Sequence, residues 1–102
     1  MNIAIVDDEK VELETAEIFL RVYIKKFWAN YESRIHIETF STAHDFLYFF
    51  CPKFYHVIIL GSRMKNIAKF IRLHGDNVKI IFINSREDFL CISQSLTTIS
   101  PN

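Results

Sequence analysis

Three short, nearly continuous apolar runs constrain this chain more than any other feature: Ile3 to Val6, Val57 to Leu60 and Val78 to Ile83. Runs of this length without polar alternation suit strands covered on both faces, as parallel sheets require. A fourth segment, Arg34 to Phe40, alternates instead. Ile35 and Ile37 fall on one face and His36 and Glu38 on the other, the pattern of a strand towards the edge of a sheet.

Helical patterns separate the strands. Lys10 to Tyr31 predicts one long helix, with Leu13, Ala16, Leu20, Tyr23 and Phe27 as its core stripe. Ile18, Val22 and Trp28 lie partly off that stripe, so the helix has apolar groups on more than one side. Its acids, Glu9, Glu12, Glu14 and Glu17, lead and its bases, Arg21, Lys25 and Lys26, trail, the order a helix dipole favours. Thr42 to Asp45 reads as a capping box opening a second helix that Pro52 stops. Ile67, Phe70, Ile71 and His74 mark a third helix, closed by Gly75. Ser85 to Asp88 reads as the start of a fourth, and Thr97 to Ser100 as a last short strand before Pro101. The alternation predicts a single α/β domain over residues 1–102, a parallel sheet with helices on both faces.

Composition narrows the function. Twelve basic and twelve acidic residues cancel, so no net field draws the domain to nucleic acid or to an anionic membrane. No apolar run approaches transmembrane length and strand-like sequence begins at Asn2, which predicts a cytoplasmic protein without a signal peptide. Cys51 and Cys91 have no metal-type spacing and are expected to be reduced and packed. Two glycines in the chain exclude a P-loop or dinucleotide fingerprint. His36, His44, His56 and His74 sit in different elements without ligand spacing, and no Ser or Cys stands in a nucleophile elbow.

In open parallel sheets the working site lies beyond the carboxyl ends of the strands. The residues there are Asp7 and Asp8 after the first run, Gly61 after the second apolar run, and Asn84 after the third. Adjacent carboxylates invite a divalent cation, yet Gly61 offers neither ligand nor nucleophile.

Several segments resemble the receiver domain of two-component response regulators, closest to receivers that precede LytTR-type DNA-binding domains. They are Ile3-Ala4-Ile5-Val6-Asp7-Asp8-Glu9, Phe40-Ser41-Thr42-Ala43-His44-Asp45-Phe46-Leu47, Tyr55-His56-Val57-Ile58-Ile59-Leu60 and Lys79-Ile80-Ile81-Phe82-Ile83-Asn84-Ser85. The resemblance implies a flavodoxin-like, doubly wound sheet of five parallel strands in the order 2-1-3-4-5. In that family two acids and a phosphoacceptor aspartate hold Mg²⁺, a hydroxyl residue contacts the phosphoryl oxygens, and a lysine pairs with them. Carried over by position, the acids are Asp7 and Asp8 and the acceptor is Gly61. The hydroxyl position is Asn84, or Ser85 if the strand slips by one, and the lysine position is Ser100.

The resemblance therefore implies a degenerate receiver, not an enzyme, that acts by protein contact and holds Mg²⁺ weakly or not at all. The alternatives are a working receiver with a displaced acceptor and, lower still, a small flavodoxin-like enzyme, against which the acidic loop Asp7-Asp8-Glu9 argues. Arg63 and Arg86 border the implied pocket. One or both are expected to replace the metal with an internal ion pair to Asp7 or Asp8, the competing reading being that both point to water, where such pairs contribute little. Receivers close with a fifth helix beside the first, whereas this chain ends at Asn102. That helix being missing or truncated, apolar surface near the first helix and last strands is expected to be bare, favouring a homodimer or a protein partner. A DNA-binding domain beyond Asn102 is part of the same expectation.

Overall fold

The computed structural model describes residues 1–83 and 88–101, with only the backbone described over 88–91. Four parallel strands, β1 (Asn2–Val6), β2 (His36–Phe40), β3 (Val57–Gly61) and β4 (Lys79–Ile83), form one sheet in the order β2-β1-β3-β4. Four α-helices accompany them: α1 (Lys10–Phe27), α2 (Ala43–Phe49), α3 (Lys65–Leu73) and α4 (Asp88–Leu96). The first two of the three apolar runs become the central pair, and the third becomes the edge strand β4. Ile3 to Val6 and Val57 to Leu60 are wholly excluded from solvent.

Alternate residues of these strands feed two cores. On one face Ile3, Ile5, Val57, Ile59, Ile81 and Ile83 pack under α1 and α4. On the other Ala4, Val6, Ile58 and Leu60 meet Phe46 of α2 and Ile67 and Ile71 of α3. Phe46 is the largest of the fully buried side chains and touches Phe40, Phe50 and Tyr55.

α1 ends at Phe27, earlier than its periodicity predicts, and a 3-10 run over Ala29–Arg34 follows. Trp28 leaves the helical region (φ −126°, ψ 32°), which lets its ring bury and meet Tyr23 edge-on at 5.3 Å. Ile24 takes the core place expected of Phe27, which is 59% exposed. The Thr42 hydroxyl caps α2 by accepting the Asp45 N–H at 3.0 Å. α3 closes in a Schellman motif: Gly75, at φ +76°, donates to Arg72 O and Asp76 donates to Ile71 O.

Two expectations about the C-terminal part change. Thr97 and Thr98 form a turn and residues 99–101 are irregular, so the described residues contain four strands and no fifth. α4 also lies on the face of α1, where Ile92 and Leu96 are fully buried. A right-handed crossover from β4 to a further strand beyond it would run on the face of α3. In the described residues a helix on the opposite face follows β4 instead. The surface beside α1, expected to be bare, is thereby covered. Cys51, expected to be packed, is exposed after α2, and the Cys91 side chain lies outside the described residues.

Gly75→Ala forces a side chain into a left-handed conformation with open space around it, so the cost is backbone strain alone. It should lower stability by about 1–2 kcal/mol, measured by urea denaturation, with no change in the slope of the transition.

Candidate functional site

Sheet register builds the site. β1 and β3 pair so that Val6 stands opposite Leu60, which brings Asp7 beside Gly61. Gly61 in turn pairs with Ile83, the residue before Asn84. The Asp7 N–H donates to Phe40 O at 3.1 Å, so the end of β1 is also tied to the end of β2.

The adjacent acids then diverge. Asp7 is 2% exposed, and its Oδ1 accepts the Glu9 N–H at 2.9 Å across the turn into α1. Among the described residues its Oδ2 is buried without a hydrogen-bond partner, a costly arrangement for a carboxylate. Asp8 points outwards, where its Oδ1 accepts from Arg63 Nη2 at 2.9 Å.

Gly61 and Asp7 are in close approach. A Cβ built on Gly61 would stand 2.8 Å from both Cγ and Oδ2 of Asp7 and 3.0 Å from Oδ1. The carboxylate therefore occupies the space that any side chain at position 61 would take. Only glycine admits it there, and the reason is proximity rather than backbone conformation.

Arg63 sits in the tight turn after β3, where Met64 N–H donates to Gly61 O at 2.9 Å before α3 begins. That turn carries the guanidinium over Asp8 and not onto the buried Asp7. Both side chains are largely exposed, 62% and 48%, so this is a surface pair screened by solvent and salt. Asn84, Ser85 and Arg86 lie outside the described residues. Ser100, expected at the end of a fifth strand, is exposed in irregular chain after α4. Among the described residues no group of three or more His, Cys, Asp or Glu side chains could hold a metal ion, and no helix is long and apolar enough to cross a membrane.

Two polar devices were not visible in the sequence. Asp76, 4% exposed, accepts from Lys53 N at 2.8 Å and from Val78 N at 3.0 Å, joining the loops before β3 and β4. Tyr55 donates to Glu38 Oε2 at 2.9 Å, and burial first, then Glu38, pushes its phenol well above the usual range. A short Gly-Asp-Asn turn hints at Asp76, but the pairing partner is 23 residues away in sequence. A depression of about 290 Å³ lined by Arg21, Ile24, Lys25, Glu32, Ile35 and Ile37 lies at the other end of α1 from Asp7.

A scan against protein-family models, a search of curated proteins and a search of solved structures each give no match. The class that fold and site define is thus an α/β domain with a four-stranded parallel sheet and a buried carboxylate at its carboxyl edge.

Gly61→Ala should cost about 1–3 kcal/mol, because the new methyl group must displace a carboxylate already held by Glu9. The same change in an Asp7→Ala background should cost clearly less, and denaturation of the four proteins in this cycle reads the coupling. Arg63→Ala should change stability by no more than about 1 kcal/mol, an effect that shrinks further as salt is raised.

Proposed function

We propose that this domain is a pseudo-receiver, a module of signal transduction that acts on an effector by protein contact and takes no phosphoryl group at the usual position. The packing of Asp7 against Gly61 carries the reading. A receiver needs an aspartate at position 61 with room in front of it for the incoming phosphoryl group. Here that room holds a second carboxylate, so both the nucleophile and its approach path are gone. The strand order β2-β1-β3-β4, with α1 on one face and α2 and α3 on the other, supports a flavodoxin-like origin. On this reading the domain departs from the five-stranded order 2-1-3-4-5 in the unit after β4.

Mg²⁺ does not fit the donors present. A small octahedral cation requires several oxygens at short range. Position 61 supplies none, Asp8 is engaged by Arg63, and Asp7 Oδ1 is held by the turn into α1. The residues instead favour one fixed arrangement: a buried carboxylate inside and an ion pair over it. A regulator built this way is set by its partner or its abundance rather than by a kinase. The effector we envisage is a transcription regulator in the cytoplasm, carried on this chain beyond Asn102 or on a separate one.

A displaced acceptor is the competing reading. Asp7 has almost no solvent access, and Asp8 Oδ1 accepts from the Arg63 guanidinium, so neither stands ready as a nucleophile. Incubation with acetyl phosphate and Mg²⁺, followed by intact mass measurement, should leave the mass unchanged. Gly61→Asp alone should not restore labelling, since Asp7 still fills the space. A stable adduct on the unaltered protein would overturn the proposal.

A further inference from the structure

The charges that cancel over the whole chain do not cancel along α3. From Phe46 to Gly75 the chain has no acid and five bases, Lys53, Arg63, Lys65, Lys69 and Arg72. Arg63 is taken by Asp8. Asp76, the next acid along, is buried with both oxygens engaged by the Lys53 and Val78 N–H groups. Lys65, Lys69 and Arg72 recur at steps of four and three, which sets them on one line of the helix. At about 100° per residue that line lies roughly 150° around the axis from Ile67 and Ile71, the residues α3 buries.

This placement burdens the helix. Like charges four residues apart destabilise it, and Lys65 stands against the dipole in a first turn that has no acid and no side-chain cap. Among the described residues no carboxylate pairs with Lys65 or Lys69. The guanidinium of Arg72 is fixed in place. Its Nη1 donates to Asp76 O and to Val78 O, both at 2.9 Å, and these carbonyls orient the group without neutralising it. Three cations held in line at a cost to their own helix mark a surface whose counter-charge lies outside the domain.

The depression beside them selects the kind of partner. It is shallow and open, about 490 Å³, and lined by Ala68, Lys69, Arg72 and Leu73, with Leu73 84% exposed. Lys65 to Arg72 spans about 10 Å, two helical turns rather than a track along a phosphate backbone. None of the lining residues offers a ring on which a base could stack. One leucine gives a bilayer little apolar area to bury. We infer that the Lys65–Lys69–Arg72 face of α3 is a docking surface for an acidic segment of a partner protein, which sets carboxylates on the three cations and an aliphatic side chain beside Leu73. The contact uses no group of the Asp7–Gly61 edge, so it stands or falls apart from the pseudo-receiver reading.

Titration of the isotope-labelled chain with a short synthetic peptide of glutamate and leucine, its leucines at helical spacing, tests this by amide NMR. The expected result is shifts concentrated between Lys65 and Leu73, with binding that weakens as salt is raised. The same peptide with glutamine for glutamate should bind at least about tenfold more weakly. Lys69→Glu should weaken binding of the glutamate peptide by at least about tenfold. It should also raise the midpoint of urea unfolding, because it removes a like-charge pair. Lys65→Glu serves as a second variant and should act the same way. Absence of shifts on α3 at millimolar peptide, equal binding of the glutamine peptide, or a Lys69→Glu protein that binds as before would overturn the inference. Oligothymidylate or phosphatidylserine vesicles held more tightly than the peptide by the same amides would overturn the choice of a protein partner. Concentration-dependent shifts of those amides with no peptide present would assign the face to a second copy, and overturn that choice likewise.

Discussion

The double-sided burial of β1 and β3 is the constraint on which the molecule depends. Eight consecutive-run positions, Ile3 to Val6 and Val57 to Leu60, have no solvent contact at all. Every one of them must find a partner layer, so helices are required above and below. Their apolar side chains also hold the register rigidly, because a slip of one residue would exchange the two cores. The pairing of Val6 with Leu60 follows, and from it the meeting of Asp7 with Gly61.

That meeting sets the character of the carboxyl edge. In a low-dielectric position a carboxylate with one oxygen unsatisfied among the described residues is unfavourable. It is tolerated because Asp7 also accepts the first N–H of the turn into α1 and its own N–H binds the end of β2. The residue thus joins three elements at one point. Asp8, one position on, has no such duties and remains at the surface with Arg63. Two neighbouring acids in sequence have become one structural group and one surface group.

The C-terminal part shows how a local pattern can be overruled. Thr97 to Ser100 has β-branched residues and a following proline, which argues for a strand on propensity alone. A strand also needs an edge to join and a crossover on the proper face. With α4 packed beside α1 through Ile92 and Leu96, the connection does not lead there. Burying those two side chains closes the face over Ile81 and Ile83, and the segment beyond forms a turn. Phe27 is a similar case, since periodicity alone assigns it to the core until Trp28 turns the chain and buries itself instead.

Much of the scaffold was readable from residue order: four of the strands, the helix starts at Lys10 and Thr42, the stop at Gly75 and the placing of Asp7, Asp8 and Gly61 at one edge. Such features are written locally, in apolar runs, caps and a glycine that tolerates positive φ, and each acts over a few residues. What only the tertiary structure decided is which of the two acids is buried, that Arg63 reaches Asp8, that Asp76 ties two loops, and which face α4 covers. Each of these turns on groups far apart in sequence being brought together by packing and register, which no local pattern encodes.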